Sequence, residues 1–204
     1  MSEYTVVVGL GNPDNVRLLM QIGCMMANEY NGRVEGLTVV EMEGDAPEPT
    51  SQGHDRMSLA YDILGSAEQI AEACGAEFEG HLAVGRQVHH VLDEMASATG
   101  AELIIVGFSE RAHPRGDHSD FDRLVDEIAH HAPCNLLVAR FRGEPHYSRV
   151  LVPVRRRLNL DLRRDLVLAL QDQFDSQVDV VHFASSEAEE RHMHNELEDW
   201  LDQR

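Results

Sequence analysis

The sequence contains no lysine: all 17 basic residues are arginine, set against 36 Asp and Glu, and the formal net charge is −19 over 204 residues. Neutralising phosphate takes clustered cations, so a chain this acidic is not expected to bind DNA or RNA in general. Aromatic residues are sparse at 5%, which leaves the core to Val, Leu, Ile, Met and Ala within a 43% apolar fraction. No apolar run approaches the ~20 residues of a membrane-spanning helix. No basic, apolar leader precedes the first apolar segment either. Direct membrane insertion is therefore not expected, and a cytoplasmic location is. Cysteine is scarce too. Cys24, Cys74 and Cys134 are odd in number, widely spaced and lack a CxxC, which argues against a disulfide framework or a zinc knuckle. Each thiol is expected in or beside the core as a small hydrophobe, in a reducing setting.

The acidity has two readings. One is a high-salt cytoplasm, where an acidic surface stays hydrated and its self-repulsion is screened. The other is a GC-rich genome that favours Arg over Lys. A melting series in salt separates them: stability that climbs with salt fits the first, and equal stability at low and high salt fits the second.

What is present is a regular alternation of elements. Residues 4–10 (YTVVVGL) form an apolar run suited to a strand covered on both faces. GNPD is turn chemistry, after which Asp14 or Asn15 is expected to cap a helix to about Tyr30, with Val16, Leu19, Ile22 or Gly23, and Met26 at helical spacing. A strand over 34–42, an exposed acidic loop over 43–54 and a helix over 57–74 follow, the helix placing Leu59, Ile63, Ala67, Ile70 and Ala71 on one face. Then come a strand at 78–84, a helix at 88–99, a strand at 103–106, a polar loop at 107–120, a helix at 121–131 and a strand at 135–139. Strands alternating with helices imply right-handed crossovers and an α/β, doubly wound, mainly parallel sheet.

The remainder repeats the beginning. An offset of 144 residues lays 149–183 on 5–39 without gaps. Val6 and Val8 meet Val150 and Val152, Leu18 meets Leu162, Met26 meets Leu170, Tyr30 meets Phe174 and Val34 meets Val178. The expected organisation is a complete domain over 1–140, a linker over 141–148 and the first part of a second copy over 149–204, with residues 187–204 matching the second helix. The second copy's sheet is expected to need an edge partner.

GRQVHHVLDEMASATGAELIIVG (residues 85–107) and HHAPCNLLVAR (residues 130–140) resemble the signature stretches of the universal stress protein family; RVLVPV and VDVVHF in the second copy resemble its first two strands. The resemblance implies a five-stranded sheet of order 3-2-1-4-5 in the adenine-nucleotide-alpha-hydrolase-like class, and homodimers paired through the last strand, Asn135 to Ala139. VVGLGNPDNVRLL (residues 7–19) is also similar to stress-protein domains fused to cationic amino-acid transporters.

In such a sheet ligands bind beyond the carboxyl ends of the strands where the strand order reverses, here between the first and fourth strands. A nucleotide there would be met by Gly11, Asn12, Gly107, Ser109, Arg111 and Arg115. In the family's ATP-binding members the loop carries three spaced glycines and then Ser or Thr. Gly107 fits the first position, but Glu110, Asp120 and Phe121 stand at the others, and Leu10 replaces the acidic residue that ends the first strand. Glu110, Asp117, Asp120 and Asp122 also place negative charge where phosphate would sit.

No cofactor is expected, with ATP as the alternative. The run Arg155-Arg156-Arg157 with Arg163 and Arg164 reads as charge compensation on a solvated face, or as a landing place for an anionic partner. The 12 histidines lack converging metal-ligand spacing and are expected on the surface or in loops, so no metal site is expected. No GxSxG elbow or carboxylate constellation supports catalysis. The leading expectation is a non-enzymatic regulatory or binding module acting by dimerisation and partner contact, with a membrane transporter as candidate partner. The competing one is an ATP or AMP sensor in the crevice.

Overall fold

The computed structural model of the chain describes residues 4–41, 51–85, 87–108, 119–154 and 160–182, with 186, 191, 194 and 195; the side chains of 41, 51–53, 119–124, 160–161 and 182 are not described. Two compact units divide the chain, residues 1–144 and 145–204.

The first unit is a five-stranded parallel sheet of order β3-β2-β1-β4-β5. Its strands are β1 (Thr5–Gly9), β2 (Arg33–Glu41), β3 (Glu77–Gly85), β4 (Leu103–Phe108) and β5 (Asn135–Arg140). The crossovers are α1 (Pro13–Glu29), α2 (Ser51–Cys74), α3 (Val88–Thr99) and α4 (Ser119–His131). Fold class and strand order agree with expectation.

A central parallel strand must be apolar on both faces, because helices cover both. Val6, Val7 and Val8 accordingly have no exposed surface. Val8 faces α1, where a side chain at Gly23 would come within 2.8 Å of its Cγ2. Val7 faces the other way, in one core with Leu37, Leu92, Ala96, Ile104, Val106 and Ile128.

Three local expectations are corrected. The α2 helix begins at Ser51, so residues 51–54 are helical and not loop; the rest of the expected loop, 43–50, lies outside the described residues. Its buried stripe is Ala60, Ile63, Ala67 and Ala71, while Leu59 is exposed; the stripe runs i, i+3, i+4, and Leu59 falls one residue off it. The cap of α1 is Asn12, whose Oδ1 accepts the Asp14 N–H at 3.0 Å. Pro13 explains this, since proline is suited to the first helical position and the cap must precede it.

Glu102 registers three strands. Its N–H donates to Thr5 O at 3.0 Å, its C=O accepts the Asn135 N–H at 3.2 Å, and its Oε2 accepts the Thr5 N–H at 2.7 Å. Thr5 is buried, and a buried donor left without an acceptor costs its full desolvation.

The second unit contains β6 (Arg149–Val154), α5 (Leu160–Phe174) and β7 (Gln177–His182), with β6 and β7 parallel. It repeats β1-α1-β2 in detail. Thr5 pairs with Arg33 and Arg149 with Gln177, both pairs related by the offset of 144. Arg33 N–H donates to Tyr4 O and Gln177 N–H to Ser148 O, each at 2.9 Å. Asn31 and Asp175, also 144 apart, both turn the chain out of their helix with positive φ, 50° and 51°, a conformation Asn and Asp tolerate better than other side chains. Among the described residues β6 has β7 as its one sheet neighbour. Residues 187–190, 192–193 and 196–204 of the expected further helix lie outside the described set.

Glu102→Ala is expected to lower stability by about 1–3 kcal/mol in urea unfolding, the usual cost of a stranded buried donor, and Glu102→Gln, which keeps an acceptor oxygen, by clearly less. Equal losses in the two variants would show that the side-chain acceptor is not what registers Thr5.

Candidate functional site

The crevice at the strand-order reversal is bounded by the end of β1, the start of α1 and the end of β4. Of the six residues expected to meet a nucleotide, Gly11, Asn12 and Gly107 are placed here; Ser109, Arg111 and Arg115 lie outside the described residues, as do Glu110 and Asp117.

The placed residues are engaged by the protein itself. Leu10 is 1% exposed; its N–H donates to Leu37 O at 2.8 Å, and its side chain reaches within 3.2 Å of where a Cβ on Gly36 would be. Its side chain thus serves the core beneath the crevice. Asn12 caps α1, whose first turn carries Asp14. The helix N-terminus, the natural anchor for phosphate, therefore already has a neutral cap and an anionic neighbour. A Cβ on Gly107 would meet Leu19 Cδ1 at 2.9 Å and Asn15 Nδ2 at 3.3 Å. Glycine at 107 thus lets α1 pack against β4, and Asn15 Nδ2 ties the two by donating to Phe108 O at 3.3 Å. Beside it the Arg140 guanidinium lies 4.7 Å above the Phe108 ring. Gly11 is different: it is exposed, and a Cβ there would meet nothing within 4 Å.

Two charged clusters were not foreseen. On β2 and β3, Glu35 is 1% exposed, with Arg33 Nη2 at 3.0 Å from Oε1 and His81 Nε2 at 2.6 Å from Oε2. Ligand atoms of Glu35, Glu79 and His81 lie within 4.8 Å of one another, close enough for a metal ion. Both Glu35 oxygens are already engaged, however, so the cluster reads as a buried carboxylate satisfied by its own neighbours. The signal in the sequence was a charged residue inside an apolar strand, in VEGLTVV.

The second cluster joins α3 to α4. His89 is 8% exposed, which corrects the expectation of surface histidines. Its Nδ1 lies 2.9 Å from Glu127 Oε2, and its ring is 4.2 Å from that of His90. Asp93 sits beside His131, His89 and His90, yet burial outweighs their pull and raises its carboxyl above the ordinary 3.8. Its Oδ1 is buried without a hydrogen-bond partner.

One outer edge of the first unit's sheet is β5, paired to β4 alone among the described residues. Val138 on it is 37% exposed. No helix among the described residues is long and apolar enough to cross a membrane.

Comparison with known proteins adds to this geometry. The model of the universal stress protein family matches residues 4–140. The universal stress protein from Archaeoglobus fulgidus in complex with dAMP is 18% identical, with a TM-score of 0.51 over 68% of this chain and 98% of its own. A universal stress protein from Archaeoglobus fulgidus DSM 4304, 12% identical, has a TM-score of 0.60 over 95% of this chain and 72% of its own. A curated relative, the Na(+)/H(+) antiporter NhaS5 of Synechocystis, is 25% identical over 158 residues, which is 76% of this chain and 22% of the antiporter.

Asp93 yields a pH prediction. Its native carboxyl keeps a proton to higher pH than the unfolded chain does, so its contribution to stability is greatest in acid and is lost as pH rises through the native value. Asp93→Asn is expected to raise the melting temperature near neutral pH, and the gain is expected to vanish below about pH 3.8, where both states are protonated. A gain independent of pH would trace the effect to something other than this charge.

Proposed function

We propose, on the premise that this chain belongs to the universal stress protein family, that it is a non-catalytic regulatory module that pairs with a second copy and acts on a membrane ion transporter. The observation that carries the reading is the crevice. Leu10 is buried where an acidic residue would face a nucleoside, Asn12 caps the helix, and Leu19 and Asn15 occupy the space above Gly107. Among the described residues this leaves Gly11 as the open position for a nucleotide, and activity then rests on protein contacts. The outer edge of β5 supports pairing, since among the described residues it presents an open ladder and the part-exposed Val138. The antiporter relative supports a transporter as the partner.

Two observations favour the second reading, a sensor of adenine nucleotides: the backbone at Gly11 is open to close approach, and the Archaeoglobus protein named above holds dAMP. Calorimetric titration with ATP and Mg²⁺, and separately with AMP, decides between the readings. The expected result is no saturable binding tighter than about 1 mM. Micromolar saturable binding that Gly11→Val abolishes would establish the sensor and remove the main support for a purely protein-contact module. For pairing, sedimentation of the wild type is expected to give a dimer and Val138→Asp a monomer, because a charge at the centre of the strand edge opposes its twin across a two-fold axis. A wild-type monomer at high concentration would count against pairing.

A further inference from the structure

Two of the three cysteines, 50 residues apart in sequence, are neighbours in the fold. Cys24 lies in α1 and Cys74 is the last residue of α2, and Cys74 is near enough to act on the Cys24 thiol. One turn along α1 from Cys24, Asn28 Nδ2 donates to the Cys74 carbonyl at 3.1 Å. That bond holds the end of α2 against the face of α1 that carries Cys24. Both cysteines are free thiols. Their exposures differ: Cys24 is 1% exposed, while Cys74 is only partly covered.

We propose that Cys24 and Cys74 form a peroxide-sensitive dithiol, in which Cys74 is oxidised first and Cys24 then closes a disulfide between α1 and α2. Atoms and electrons balance with a hydroperoxide as oxidant. The Cys74 thiolate attacks one peroxide oxygen and the O–O bond breaks. Cys74 becomes a sulfenic acid, and the other oxygen leaves as water or alcohol. Cys24 Sγ then attacks the Cys74 sulfur, the S–O bond breaks, and the Cys24 proton leaves with the hydroxide as water. Two thiols have lost two protons and two electrons, and the peroxide has taken them up.

The order of events follows from the surroundings of each sulfur. Burial, reinforced by the neighbouring Cys74, pushes the Cys24 thiol up to about 12, so it is a poor first nucleophile and is out of reach of a soluble oxidant. Cys74 is the one that solvent can reach. Cys134 is an internal control: burial first, then Glu102 and Asp93, push its thiol up to about 11, and neither Cys24 nor Cys74 contributes to that shift.

The test treats the full folded chain with a small excess of hydrogen peroxide, alkylates the remaining thiols and maps the peptides. The expected result is a mass loss of about 2 Da, a fall from three free thiols to one, and a Cys24–Cys74 cross-linked peptide that dithiothreitol removes. Cys134→Ser is expected to cross-link as the wild type does. Cys74→Ser, altered at a partly exposed site, is expected to form no link and to keep both remaining thiols. Should Cys24→Ala be needed in its place, it is expected to trap Cys74 as a sulfenic acid that a dimedone probe labels. A link made through Cys134, or overoxidised Cys74 without any link in the wild type, would overturn the proposal.

Discussion

The first unit depends on one constraint: β1 is buried from Thr5 to Val8 and only partly exposed at Gly9. Both its edges are paired, to β2 and β4, and both its faces are covered, so that Val6, Val7 and Val8 are fully buried. Every backbone group in the strand must then find a protein partner, since water cannot serve. Glu102 shows how tightly this is met, since its backbone N–H and its carboxylate both serve Thr5. The crevice lies at the end of the same strand, so the packing that buries β1 also decides what stands at the mouth. Leu10 continues the ladder and the core, and Leu19 and Asn15 bring α1 against β4 over Gly107.

The second unit shows the same local physics with fewer neighbours. Register, carbonyl bonding and the positive-φ turn recur at the offset of 144 residues. An aromatic pair at the helix end recurs nearly so: Tyr4 stacks on Tyr30 with ring centroids 4.4 Å apart, and Tyr147 on Phe174 at 4.7 Å. Side-chain volumes have changed where neighbours differ. Gly23 of α1 makes room for Val8, whereas its counterpart Val167 is itself part of a small core with Val152 and Val154. Val7 is fully buried, while its counterpart Leu151 is 65% exposed. A strand-helix-strand unit covers one face of its strands, and the other face needs helices such as α3, which in the first unit brings Leu92 to Val7.

Much of the fold was legible because periodicity reports burial. Consecutive valines in 5–8 announced a strand covered on both faces, and i, i+3, i+4 apolar spacing announced the helices. Errors fell where the pattern is weak. The start of α2 lies in polar residues with little apolar signal, and the cap of α1 depended on what Pro13 permits. The site was half legible. The replaced glycines and the missing acidic residue could be read directly, but only the fold shows that Leu19 and Asn15 fill the space above Gly107. Glu35, His81, His89 and Glu127 were missed because their partners are remote in sequence, brought together by strand register or helix packing.

Some features of this protein are therefore properties of the sequence alone: the α/β alternation, the repeat, the acidic surface and the departures from a phosphate-binding loop. Each depends on local spacing or on composition, and neither needs a partner distant in the chain. The tertiary structure alone decided the rest: that Leu19 and Asn15 stand over Gly107, that Arg33 and His81 engage both oxygens of the buried Glu35, and that the end of α2 carrying Cys74 lies against the face of α1 carrying Cys24. These are contacts between residues far apart in sequence, and they arise only where sheet register and helix packing bring two segments within a few ångströms of each other.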